Sequence, residues 1–254
     1  VLLTWSAALH PVSAVPGADL TDLWDSLWSM WFVWSRLTTG ASPLDVTGLL
    51  NHPEGGAFWV ADPVNGLLAL PLIPLVGPAA AWTFLVLAHL TFTGVVSHRL
   101  GDLVCPGGGL VTGVAIASSP VLLAHVHNGA SEAVGQGWLV LAILRLYVLR
   151  SEPTVRNTVF AGLAVGWCAI AHWYGGVVAG IFLVAFLPAA PRRFAVAAVL
   201  AALLAAPIAA VARYQSQAPG NVVAIKDARE LATVRRTIGP ADPVGFYAPG
   251  DFRS

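Results

Sequence analysis

The chain has 254 residues, of which 57% are hydrophobic and only 10% charged, and its mean hydropathy is +0.74. This composition excludes an ordinary soluble domain and points to an all-α, polytopic transmembrane helical bundle; the alternating ten-residue segments of a membrane β-barrel do not occur. Thirteen Lys and Arg balance thirteen Asp and Glu, so no bulk charge draws the chain to nucleic acid.

Residues 1–9 start inside an apolar run. They read as the end of a truncated first span, with the remnant of a cleaved signal peptide as the competing reading. The sequence is accordingly read as a piece of a longer protein, with a transmembrane domain over 1–213 and an extracytoplasmic loop or tail over 214–254. Residues 16–36 follow. Leu20, Leu23, Trp24, Leu27, Trp28, Trp31 and Trp34 recur at helical spacing and predict one apolar face. Asp22, Asp25, Ser26, Ser29 and Arg36 fall on the other. Such a helix suits the membrane interface, with its indoles at headgroup level. Asp19 stands at its entrance. It reads either as a catalytic or metal-binding carboxylate or as the helix N-cap, and one residue can serve both purposes. Asp22 and Asp25 need no explanation beyond solvation.

Residues 40–62 form a loop rich in Gly, Pro and Asp. Within it Asn51-His52-Pro53-Glu54-Gly55-Gly56 has the composition of a turn; His52 and Glu54 are candidates to line a site, set against that plainer reading. Residues 63–76 are apolar, interrupted by Pro71 and Pro74, and too short to span alone. Full spans are expected near 78–98, 108–126, 132–149 and 157–173, a short one at 175–188 and an Ala-rich one at 194–213. Pairs such as Gly109/Gly113, Gly162/Gly166 and Gly176/Gly180 predict close helix packing. Cys105 and Cys168 fall in a predicted loop and a predicted span and read as free thiols. His89 lies mid-span, where a buried helix–helix hydrogen bond is expected.

Arg99, then Arg145, Arg150 and Arg156, then Arg192 and Arg193 occupy alternate connections, and the connections near 125–133 and 172–175 carry no Lys or Arg. By the positive-inside rule the arginines face the cytoplasm and the Asp-rich first loop faces outward. The outer connections then hold His125, His127 and Glu132 on one side and His172-Trp173-Tyr174 on the other. His127, Glu132 and His172 are functional candidates, because ionisable groups at span ends are costly; helix capping and interfacial anchoring are the plainer alternatives. In the tail, residues 225–238 can form an amphipathic helix exposing Lys226, Arg229, Arg235 and Arg236.

The order of these features resembles the GT-C superfamily of membrane glycosyltransferases, and oligosaccharyltransferase catalytic subunits look similar. The matching features are a first span and an outer loop opening on Pro16-Gly17-Ala18-Asp19, then an interfacial helix and a Pro53-Glu54-Gly55 turn. Ser119-Pro120 follows before a second outer loop. The resemblance covers most of 1–213, through short motifs. It implies an enzyme that moves a sugar from a polyprenyl-phosphate-linked donor to an acceptor on the outer side of a membrane, here a bacterial cytoplasmic membrane. It implies that Asp19 orients the acceptor or binds a divalent cation such as Mg or Mn, with Glu132 near the second acidic position. The second loop reads Asn128-Gly129-Ala130-Ser131-Glu132, without an Asp-x-Asp pair, so a metal-free reaction with Asp19 as base stays open. Positive charge for the departing phosphate is expected from Arg36 and from tail residues including Arg235 and Arg236. The sequence also admits a transporter or lipid flippase, or a non-catalytic assembly subunit.

Overall fold

The computed structural model describes residues 9–10, 14–18, 22–43, 46–47, 56–57 and 63–216. The first helix, α1, runs Leu23–Thr38. Two residues of strand on each side, β1 (Val46–Thr47) and β2 (Gly56–Ala57), pair antiparallel in the first loop. The remaining elements are helical: α2 (Pro63–Ala69), α3 (Ile73–Val104), α4 (Gly109–Ala117), α5 (Pro120–Asn128) and α6 (Ser131–Val134). Then come α7 (Gly137–Ser151), α8 (Val155–Ala171), α9 (Trp173–Phe186) and α10 (Pro191–Ser216). Among the described residues three segments are long and apolar enough to cross a membrane: Ile73–Val104, Gly109–Asn128 and Pro191–Val211. Two shorter apolar helices, Val155–Ala171 and Trp173–Ala189, accompany them. The protein is a polytopic, all-α membrane protein.

Several boundaries differ from the sequence expectation, each for a local reason. The helix expected from about Leu20 begins at Leu23, and Asp22, at its N-cap position, makes no side-chain capping bond. The span expected at 108–126 is two helices. Ser119 is extended (φ −61, ψ 140) because the ring of Pro120 disfavours helical backbone in the residue before it. The Ser119 hydroxyl then accepts from Leu122 N and starts a new helix. The span expected at 132–149 is likewise broken. α6 ends at Val134, and α7 restarts at Gly137 with 15 residues, about 22 Å of helix against the ~30 Å of a bilayer core. Gly77 (φ 80, ψ 165) and Pro78 interrupt α3 where the predicted span begins.

Among the described residues the two largest of three cores organise the bundle. One joins α7 to α10 through Ala142, Leu146, Ala161, Val165, Cys168 and Phe194. Gly162 and Gly166 let α8 and α10 touch: a methyl on Gly162 would stand 2.8 Å from Leu200 Cβ and 2.9 Å from the Ala197 carbonyl. The other core holds α1 against α3 and α5 through Leu23, Leu27, Met30, Trp82, Leu85 and Val126. Helix directions follow from such contacts. Phe92 meets Trp138 and Val96 packs with Val140 and Leu144, so α3 and α7 run parallel. Trp138 meets Trp167 while Arg145 lies over Phe160, so α8 runs back against α7. Arg99, Arg145, Arg150, Arg156, Arg192 and Arg193 therefore gather at one end of the bundle.

Candidate functional site

At the opposite end the first loop folds onto the connection between α5 and α6. The apolar arc of α1 is broad, and its buried residues are Leu23, Ser26, Leu27, Met30, Phe32 and Val33. Trp24 and Trp31 are exposed, at 57% and 38%. One placement drawn from the sequence is corrected: Ser26, set on the polar face, is buried. The hydroxyl of Ser26 donates to the Gly129 carbonyl at 2.6 Å and accepts from Ser131 N at 3.3 Å. Ala18 N donates to the His127 carbonyl at 2.8 Å, and the indole of Trp82 donates to the Pro16 carbonyl at 2.8 Å. Burying Ser26 is tolerated because both of its hydrogen-bonding roles are filled.

Gly129 makes the approach possible. Its backbone is left-handed (φ +69), and a Cβ there would meet Leu23 at its Cα, its Cβ (2.6 Å) and its N (2.7 Å). A glycine in this conformation ends α5 and lets the backbone of α1 lie against the turn. Behind the turn, Asn65 donates through Nδ2 to the Ser131 carbonyl at 3.0 Å, and its Oδ1 lies 2.6 Å from His89 Nε2. An amide oxygen only accepts, so Nε2 of His89 carries the proton. The helix–helix hydrogen bond expected for His89 is thus present, with α2 supplying the partner.

The sequence-derived candidates fall into three groups. His127 and Glu132 lie on the connection that α1 covers; the His127 side chain is exposed and Glu132, in the first turn of α6, is half-buried. His172 sits at the junction of α8 and α9, is 8% exposed, and its Nδ1 has no hydrogen-bond partner among the described residues. Burial lowers the affinity of the His172 imidazole for a proton, and His125 lowers it further. Arg36 lies in the last turn of α1, ten residues beyond Ser26 and so about 15 Å along the helix axis; its Nε donates to the Ser42 carbonyl at 3.1 Å. Asp19, His52, Glu54, Lys226, Arg229, Arg235 and Arg236 lie outside the described residues.

Among the described residues no three His, Cys, Asp or Glu side chains are grouped to hold a metal ion. Sequence reasoning missed Ser26, Asn65 and Ser131 as the groups that join the two loops. Asn65 carried a signal: a lone amide in an apolar stretch needs a buried partner. No protein family, no curated protein and no solved structure matches the chain.

Proposed function

We propose that the protein is a membrane glycosyltransferase of the GT-C kind, moving a sugar from a polyprenyl-phosphate-linked donor to an acceptor at the end of the bundle remote from the arginines. That end is read as extracytoplasmic by the positive-inside rule. One observation carries the proposal. The backbone on both sides of Asp19 is tied to the second connection, through Ala18 N to the His127 carbonyl on one side and through Ser26 to Gly129 and Ser131 on the other. The resemblance asks for a first-loop carboxylate and a second-loop acid acting on one substrate, and these bonds draw the two loops together.

The chemistry follows from the charges. The acceptor hydroxyl loses a proton as it attacks the anomeric carbon, and Asp19 is the base that takes it. The lipid phosphate that leaves needs cationic or hydrogen-bonding stabilisation, assigned to Arg36 and to the tail arginines Arg235 and Arg236. His127, His172 and Glu132 would contact donor or acceptor; His52 and Glu54 are the first-loop candidates for the same task. A divalent cation, if the reaction uses one, would be held by Asp19 and Glu132.

The test is sugar transfer in membranes, with labelled sugar on a panel of polyprenyl phosphates, comparing wild type with Asp19→Asn at matched abundance. The expected result is transfer by wild type and a loss of at least about a hundredfold in the variant, the scale of a general base. Equal transfer by both removes Asp19 from the mechanism. No transfer by either across a broad panel overturns the glycosyltransferase reading.

A further inference from the structure

The arginine end of the bundle carries a second, unrelated site. Two guanidinium groups lie over one aromatic ring: Arg145 Cζ is 5.3 Å and Arg156 Cζ 5.5 Å from the centroid of Phe160. The two charges are therefore no more than about 11 Å apart, an upper limit of the same order as the ~8 Å screening length at physiological salt. Among the described residues neither has an acidic partner; the recorded side-chain ion pair is His98–Asp102, on another helix. Glu152, the one carboxylate on the α7–α8 connection, is exposed and pairs with neither arginine. Arg145 is half-buried and lies six residues before the end of α7, about 9 Å inside it along the axis. A guanidinium set back from a helix end in this way either snorkels toward the headgroups or is met by an anion.

The surface beside the pair is apolar and open. Phe160 is 40% exposed and Leu163, one turn further into the bundle, 45%; Val159 beside them is also exposed. Two cations at the arginine end of the bundle, beside an exposed apolar strip, match a molecule with an anionic head and hydrocarbon tails. We infer that Arg145 and Arg156, held by Phe160, bind the phosphate of an anionic phospholipid in the leaflet at the arginine end, with its acyl chains along Phe160 and Leu163. Planar guanidinium groups suit phosphate oxygens, and stacking on the ring restricts their rotamers before the lipid arrives. Arg192 and Arg193, exposed at the start of α10, supply the comparison: the same end and the same charge, with no recorded shared ring.

The experiment is native mass spectrometry of the full chain released from micelles containing equal dioleoylphosphatidylglycerol and dioleoylphosphatidylcholine. Wild type is expected to retain phosphatidylglycerol preferentially. Arg145→Gln with Arg156→Gln should lower that preference by up to about thirtyfold, roughly fivefold for each basic residue. Arg192→Gln with Arg193→Gln should lower it by less than half as much on the logarithmic scale. Phe160→Leu leaves every charge in place and should still lower the preference at least about twofold; it carries the test if the double variant does not fold. No preference in wild type overturns the inference. So does an equal loss in both arginine pairs, which assigns the effect to surface charge at large. Unchanged retention in Phe160→Leu overturns it as well, because the ring then holds nothing.

Discussion

Replacing Gly129 with alanine tests the junction between the two outer loops. Two costs add at this position. A side chain in left-handed backbone (φ +69) costs roughly 1–2 kcal/mol. The new methyl also runs into the backbone of Leu23, which cannot swing aside as a flexible side chain can. Either α1 or the turn must move, and the 2.6 Å bond from Ser26 to the Gly129 carbonyl is lost with that movement. A buried acceptor left unpaired costs about 1–3 kcal/mol, so Gly129→Ala should destabilise by about 2–5 kcal/mol in total. Two other glycines separate the terms. Gly107 is also left-handed (φ +83), yet nothing lies within 4 Å of its would-be Cβ. Gly107→Ala should therefore cost only the roughly 1–2 kcal/mol of backbone strain. Gly180 is helical, again with nothing within 4 Å, and Gly180→Ala should be neutral or stabilising by up to about 1 kcal/mol. Equilibrium unfolding by SDS titration in mixed micelles, followed by tryptophan fluorescence, gives the order. If Gly129→Ala proves no worse than Gly107→Ala, the close approach of α1 to the turn is not a source of stability, and the argument that the two loops form one site fails with it.

Further outcomes follow from the same contacts. Ser26→Ala strands the Gly129 carbonyl and Ser131 N together and should cost about 1–3 kcal/mol in the same titration; a change below about 0.5 kcal/mol would show that water replaces the hydroxyl freely. Gly162→Ala forces α8 away from Leu200 and Ala197 on α10 and should cost about 1–3 kcal/mol by overpacking, where Gly180→Ala costs nothing. His172 binds a proton less readily in the folded protein than in the unfolded chain, because of burial and then His125. The unfolded state therefore binds more protons as pH falls below the ordinary histidine value of about 6.5, and this residue's share of stability is lost on the acid side. His172→Gln should flatten the decline in stability between pH 7 and pH 5 relative to wild type; parallel pH profiles for the two proteins would show that His172 takes up its proton equally in the folded and unfolded chains, and would refute the argument.

Much of the architecture was legible in the chain because membrane spans are written in composition. The Ala-rich span expected at 194–213 falls within the helix Pro191–Ser216, since long apolar runs have no alternative to satisfying their own backbone; the full span expected at 157–173 is the shorter apolar helix Val155–Ala171, of 17 residues. The alternation of arginines along the sequence likewise corresponds to one end of the bundle, because antiparallel helices return every second connection to the same side. The breaks at Ser118-Ser119 and Gly135-Gln136 were not read. Their cues, a Ser-Pro pair and a glycine-rich triplet, also occur inside continuous membrane helices, where neighbouring segments re-satisfy the freed backbone groups. Of the candidate site, the residue types were legible and the contacts were not. His127 and Glu132 were identified as polar groups at a span end, but nothing local linked them to Ser26, which is 105 residues from Ser131.

The amino-acid sequence alone determined the solvent. A chain this apolar and this poor in charge has to place helices in lipid whatever else it does, because exposing so much hydrocarbon is too costly in water. It also indicated a helix with apolar and polar sides within residues 16–36. Which stripe of that helix is buried was decided by tertiary structure. Leu23, Leu27 and Met30 and the indoles of Trp24 and Trp31 lie about 100° apart around the axis, and periodicity ranks both as apolar. Only the left-handed turn at Gly129, shaped so that the backbone of α1 can lie against it, selects the leucine stripe. That choice takes Ser26 into the interior and ties the backbone around Asp19 to the second loop.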